Sequence, residues 1–194
     1  MIQPLLLIEC ADVKLCEYRM EDAERITSIA QENEVSKFLP DWSVSLSQRQ
    51  IWMEHYEIPE NQRFKAAVME GKHPGQLRLR MVIIHKKNDE VIGWCCTGIK
   101  EEIGQREIMY AISSRYTNQG YASQATWGLR DYLFNHTSVQ QLAALAHVHN
   151  VASQRVIQKS GFRYCFTRTL DAHPYYVYTL ARSDWNSLHA KNHC

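Results

Sequence analysis

Long apolar runs are missing from this 194-residue sequence. The longest near its start, Leu5 to Ile8, is four residues. A membrane-spanning helix needs roughly 20 and the core of a secretory signal at least about 7. No Lys or Arg stands among the first eight residues, so a basic leader is missing too. Excess charge is also lacking: 22 Lys and Arg face 21 Asp and Glu, a net charge of +1. Nothing global draws the chain to nucleic acid or an anionic membrane. Repeats, low-complexity tracts and Pro- or Gly-rich linkers are absent. None of the six cysteines (Cys10, Cys16, Cys95, Cys96, Cys165, Cys194) forms a CxxC pair, and a chain of this size needs no disulfide framework. The expectation is one soluble, cytoplasmic domain over residues 1–194, monomer or homodimer, with reduced thiols and without direct nucleic-acid or membrane partners.

What is present is 45% hydrophobic and 22% charged residues, a globular composition. β-rich runs stand at 13–19, 79–85, 91–98, 106–113, 141–148, 162–168 and 176–182. Helical spacing marks 21–33, 47–58 with Pro59 as its stop, 121–136, and a short helix capped by Asn150 and ended by Gly161. Gly128 interrupts the third of these at a cost of about 1 kcal/mol. The order is β-α-α-β-β-β-α-β-α-β-β. Only 106–148 is a strand–helix–strand crossover, so those two strands are expected to run parallel in an otherwise antiparallel sheet. The class is α+β, with a mixed seven-stranded sheet and flanking helices.

The segment with chemistry in it joins a strand to a helix: Thr117-Asn118-Gln119-Gly120-Tyr121-Ala122-Ser123. Gly120 permits a tight turn, and the free N–H groups of a helix start suit a phosphate. Downstream stands His149-Asn150-Val151-Ala152-Ser153-Gln154-Arg155-Val156, followed by Lys159-Ser160-Gly161-Phe162. This stretch resembles the Asn-x-x-Ser-x-Arg-Val…Lys-x-Gly-Phe segment of the GNAT N-acetyltransferase superfamily. The Gly120 loop is similar to that superfamily's acetyl-CoA loop, with Thr117 where Gln, Arg or an aromatic residue is usual. Glu21-Asp22-Ala23, residues 33–40, Val91-Ile92-Gly93 and Tyr178-Thr179-Leu180-Ala181-Arg182-Ser183-Asp184-Trp185 resemble the ribosomal-protein, Rim-type branch. The resemblance covers residues 13–185.

It implies a GNAT-like sheet whose parallel strands splay apart to hold acetyl-CoA. The backbone of Ile112 and Ser114 would pair with the pantetheine arm. The N–H groups of Gln119, Gly120, Tyr121, Ala122 and Ser123 would hold the pyrophosphate. Asn150 would cap its helix and touch the cofactor. Ser153 matches the serine placed near the sulfur, where it would assist thiolate departure; a first-turn serine also satisfies backbone N–H groups. Many members of the branch carry an acid near the Phe162-Arg163-Tyr164-Cys165 step, and this chain has none there. Glu107, on the strand before the loop, is the best remaining base, directly or through water. The alternative for Glu107 is a solvated edge acid.

An α-amine near pKa 7.8 is far more often neutral at pH 7 than a lysine near 10.4. The expected reaction is therefore acetyl transfer from acetyl-CoA to a protein N-terminal α-amine, of the ribosomal-protein-alanine type. The alternatives are a small amine acceptor (a polyamine, amino acid or antibiotic) and a non-catalytic CoA-binding sensor. Acceptor choice is expected in loops 38–47 and 169–176, with Trp42 and Tyr175 walling the slot or packing the core. No metal is expected: His147 and His149, or His189 and His193, supply two ligands each, fewer than zinc normally takes.

Overall fold

The computed structural model describes residues 5–191. Its strands are β1 (Leu7–Glu9), β2 (Val13–Glu17), β3 (Leu79–His85), β4 (Glu90–Lys100), β5 (Gln105–Ile112), β6 (Gln141–His147), β7 (Arg163–Leu170) and β8 (His173–Ala181). Its α-helices are α1 (Ala23–Ala30), α2 (Asn33–Ser36), α3 (Leu46–Trp52), α4 (Ile58–Met69), α5 (Tyr121–His136), α6 (Val151–Lys159) and α7 (Arg182–Lys191). The strands form one sheet in the order β1-β2-β3-β4-β5-β6-β8-β7. Every pairing is antiparallel except β5 with β6, and those two share the single bridged pair Glu107–Ala143. The splay expected of the crossover strands is present.

The sheet has eight strands rather than seven. The additional one, β1, is a three-residue edge strand, too short to alternate visibly. It is tied down where Leu6 N–H donates to Glu17 Oε1, which Lys65 of α4 also reaches.

Two apolar layers cover the sheet. On one face Ala125, Leu129 and Leu133 of α5, spaced four apart, pack on Val13, Leu15, Cys95 and Ile108. On the other, Ile26 and Ile29 of α1 and Met53 pack on Tyr18, Trp94 and Ala111. Adjacent Cys95 and Cys96 thus point to opposite faces, the first into the α5 layer and the second toward a cleft. The five described cysteines are unpaired; Cys194 and His193 lie outside the described residues. Gly128 is explained by close approach: a Cβ there would meet Cys10 Sγ at 2.8 Å.

Two local expectations change. Pro59 does not stop a helix. Residues Met53–Glu57 form a π-helical turn, with Ile58 N–H donating to Met53 O, and Pro59 follows in the first turn of α4. A proline is tolerated in a first turn because its missing N–H needs no partner there. Residues 169–176 are not a long loop either. Leu170 pairs with His173 across a two-residue turn, Asp171 (φ 46°) and Ala172 (φ 65°), which places His173 and Pro174 in β8.

Candidate active site

The gap between β5 and β6 opens beyond Glu107. Ser113 N–H donates to Ile92 O on the β4 side, so strand alternation turns the backbone of Tyr110 and Ile112 the other way, into the gap. Ser114 differs from expectation in detail. Its N–H donates to Glu32 Oε2 at 2.6 Å, and its carbonyl accepts from the Thr117 hydroxyl at 3.0 Å. Glu32 also accepts from Ser113 Oγ at 2.8 Å, fixing the chain as it leaves β5. Of Ile112 and Ser114, it is Ile112 whose backbone remains aimed at the gap, beside that of Tyr110. Thr117, the departure from the usual loop, ties the loop to itself.

That loop delivers the start of α5. Gly120 is its N-cap with φ +83°, a left-handed conformation that L side chains avoid. No side chain caps this sixteen-residue helix, and its first turn holds no acid. Asn150 and Ser45, by contrast, cap α6 and α3 through their side chains. The first-turn N–H groups of Tyr121, Ala122 and Ser123 therefore form an anion-receptive end where the chain leaves β5. Gln119 and Tyr121 brace the loop, Tyr121 Oη donating to Gln119 Oε1 at 3.2 Å and lying 3.1 Å from His85 Nε2. The residues present fit a CoA pyrophosphate.

On the α6 side, Asn150 Oδ1 accepts from Ser153 N–H at 3.1 Å, the expected cap. Ser153 Oγ lies 2.9 Å from Tyr110 Oη. Burial pushes the Tyr110 hydroxyl well above its ordinary pKa, with the Ser153 hydrogen bond opposing. Tyr110 was not singled out from sequence. Its signal was available: it lies two residues before Ile112, so it shares Ile112's face of β5.

On the opposite face, Glu107 is half-buried in a cleft of about 640 Å³ lined also by Trp42, Trp52, Met109, Arg78 and Lys100. Burial raises its pKa to about 7; Lys100 and Arg78 lower it and Glu102 adds to the rise. A carboxyl near 7 is poised to take a proton at neutral pH. Trp42 stacks on Trp94, ring centroids 4.8 Å apart. Arg49 lies over the rings of both Trp42 and Trp52, held by Glu57 at 3.1 Å. Trp42 thus both lines the cleft and packs on the core beneath it, within an aromatic–cation stack.

Tyr175 is not among the residues that wall that cleft, although Lys100, Asp41 and Glu107 of the cleft act on its hydroxyl. It packs edge-on against His147, which also approaches Phe38, His149 and His173. His147 Nδ1 accepts from the His149 N–H, and burial with the neighbouring histidines and Lys37 lowers its pKa. Among the described residues no group of three His, Cys, Asp or Glu is arranged to hold a metal. No described helix is long and apolar enough to cross a membrane.

Residues 12–163 match the acetyltransferase (GNAT) domain family. YnaD of Bacillus subtilis (strain 168), an uncharacterized N-acetyltransferase, is 28% identical over 86 residues, 41% of this chain and 51% of that protein. The uncharacterized N-acetyltransferase p20 of Bacillus licheniformis is 33% identical over 85 residues, 43% and 48% of the two chains. The chain spans about half the length of these curated relatives. Among solved structures, a GNAT-family acetyltransferase from Bacillus anthracis superposes with TM-score 0.72 at 17% identity, over 92% of this chain and 99% of that one. RimL, a ribosomal L7/L12 alpha-N-protein acetyltransferase, gives 0.73 at 16%, over 92% and 96%. The aminoglycoside acetyltransferase AAC(6')-Ib in complex with coenzyme A gives 0.67 at 16%, over 90% and 98%. The family match takes in the splayed strands, the uncapped α5 start and the Asn150–Ser153 helix, and this chain belongs to the GNAT acetyltransferase family.

Proposed function

We propose that this chain transfers an acetyl group from acetyl-CoA to the α-amine of a protein or peptide N-terminus. One observation supports it above the others. Glu107 and the Tyr110–Ser153 hydroxyl pair lie on opposite faces of the sheet, where β5 and β6 part. A thioester lying in that gap meets the hydroxyls at its sulfur and the carboxylate on its acetyl side.

The neutral amine attacks the thioester carbonyl, and a C–N bond forms as the C–S bond breaks. The developing oxyanion takes the gap-facing Ile112 N–H. Glu107 accepts the amine proton, directly or through water, and returns it to solvent. The thiolate leaves hydrogen-bonded to the Ser153 hydroxyl, which Tyr110 positions: Tyr110 Oη donates to the Ser153 carbonyl at 3.0 Å and lies 2.9 Å from Ser153 Oγ. The serine hydroxyl is a weaker acid than a thiol of pKa about 8.5, so it stabilises the thiolate rather than protonates it. Ser153→Ala is therefore expected to lower kcat about tenfold, with little change in the acetyl-CoA KM and no change in pH profile. Steady-state kinetics decide this, and a wild-type kcat would reduce Ser153 to a structural role.

The pyrophosphate would sit on the α5 start. Gly120→Val is expected to weaken acetyl-CoA binding at least about tenfold, because a branched side chain opposes the left-handed φ that aims those N–H groups. Calorimetry on the folded variant reads this directly, and unchanged affinity would remove the loop from the site.

A base near pKa 7 is better matched to an α-ammonium near 7.8 than to a lysine near 10.4. RimL, by its description, acts on a protein α-amine, and its fold is shared. The cleft carries four cationic side chains (Arg49, Arg78, Arg80, Lys100) and three acidic ones (Asp41, Glu57, Glu107), a poor complement to a polycationic aminoglycoside or polyamine. The test is CoA release with N-terminal peptides, spermidine, kanamycin and free amino acids side by side. The peptides should give the highest kcat/KM; faster turnover of a polycation would overturn the acceptor assignment.

A further inference from the structure

Arg78, immediately before β3, is set apart from the other cations of the cleft. Arg49 is held by Glu57, Arg80 by Glu57 and Glu60, and Lys100 by Glu102. Arg78 is exposed, and its guanidinium makes no salt bridge or hydrogen bond among the described residues, acting on Glu107 only through space; its backbone N–H bonds to Glu60. Its side chain lies across β4 at Gly98. A Cβ at Gly98 would meet Arg78 Cγ at 2.6 Å, Cδ at 3.1 Å and Nε at 3.2 Å. Gly98 is the register partner of Glu107. The missing side chain at 98 thus lets an arginine lie over the strand beside the residue that faces the acceptor amine. Arg78 also borders a second depression of about 470 Å³, with Gln76, Ile99, Glu101 and Gly104. The cleft therefore continues past it, the route an extended acceptor would follow.

We propose that Arg78 is a specificity residue that reads an acidic side chain within the first three residues of an acceptor peptide. The inference rests on the acetyl-transfer reading for the site. With the amine at Glu107, an extended chain advances about 3.3 Å per residue, which carries its next residues past Arg78 toward the second depression. A guanidinium is suited to a planar carboxylate and prefers it to an amide of the same shape. Asp41 in the cleft and Glu101 in the second depression are the competing features: they would favour a basic residue instead.

The test uses short peptides that differ only in carrying Asp, Asn or Lys at position one, two or three, together with free aspartate. Two quantities are measured: kcat/KM for acetylation, and binding of the already acetylated peptides, read by tryptophan fluorescence from Trp42 and Trp52. At its best position the Asp peptide should exceed the Asn peptide by about tenfold in both. Arg78→Gln should bring that ratio near one, Arg78→Lys should keep most of it, and Arg78→Glu should turn the preference toward Lys. A wild-type ratio near one, a Lys preference, or an Asp preference that survives Arg78→Gln would each overturn the proposal. Free aspartate outperforming every peptide would overturn the peptide assignment. Selective binding without turnover would leave the Arg78 assignment standing and sink acetyl transfer; turnover without selectivity would do the reverse.

Discussion

Glu107→Gln is expected to lower kcat/KM about 100-fold at pH 8 and only about tenfold at pH 6, with an N-terminal peptide as acceptor. The sign follows from the raised pKa of about 7. Below pH 7 the wild-type carboxyl already carries a proton, so it resembles the amide. Above pH 7 it is a carboxylate and the amide is not. The amine's own ionisation enters both proteins equally and cancels in their ratio. That ratio should therefore rise through pH 7 and level off. A ratio near one throughout would remove Glu107 from the mechanism, and a large ratio flat with pH would assign it to positioning.

The same shift has a stability consequence of opposite sense. Folded Glu107 titrates near 7 instead of its ordinary 4.5, so between those values the folded protein holds more protons than the unfolded chain. Stability from this group falls as pH rises across that window, and the full penalty is present above pH 7. Glu107→Gln should raise Tm at pH 8 and lose the gain by pH 4. A catalytic carboxyl kept at a cost in stability would show both effects together; a solvated edge acid would show neither.

Gly93→Ala is expected to be the most damaging single-methyl change in the sheet. A Cβ at Gly93 would lie 2.1 Å from Ala111 O and 3.0 Å from Ile112 Cα, both backbone atoms. Neither can move without parting β4 from β5 at the mouth of the splay, where Gly93 pairs with Ile112. We expect a loss of about 3 kcal/mol or more, which for a chain of this size lowers Tm by roughly 6–12 °C. Thermal unfolding followed by circular dichroism measures it, and a Tm within about 2 °C of wild type would show that the close approach is relaxed at little cost.

Much of the fold was legible because long elements leave periodic traces. Residues 121–136 and 79–85 were read at the bounds the structure has, and the crossover at 106–148 gave the parallel pair. The misses are local, each with a physical reason. A three-residue strand such as β1 has no room for alternation. Pro59 reads as a stop only if hydrogen bonding stays α-helical, and the π turn before it changes that. Asp171 and Ala172 both adopt positive φ, which aspartate tolerates but alanine does not announce, so a tight hairpin looked like a loop around His173 and Pro174.

The candidate site was legible where backbone does the work and less so where side chains meet across elements. Gly120 and the Asn150–Ser153 cap are local in sequence and were found together. The Tyr110–Ser153 contact joins residues 43 apart. The Trp42–Trp94 stack and the Arg78–Gly98 crossing likewise depend on tertiary packing. Register likewise decides where Tyr175 packs: it stands opposite His147 on β6, where Lys100, Asp41 and Glu107 still act on its hydroxyl.

The most direct test of acetyl transfer in the splayed gap is mass spectrometry of an N-terminal peptide incubated with acetyl-CoA and the protein. A single acetyl group on the α-amine, formed by wild type at pH 8 and strongly reduced by Glu107→Gln, is the predicted result. An unmodified peptide under conditions where calorimetry shows acetyl-CoA bound, or acetylation that Glu107→Gln leaves untouched, would contradict it.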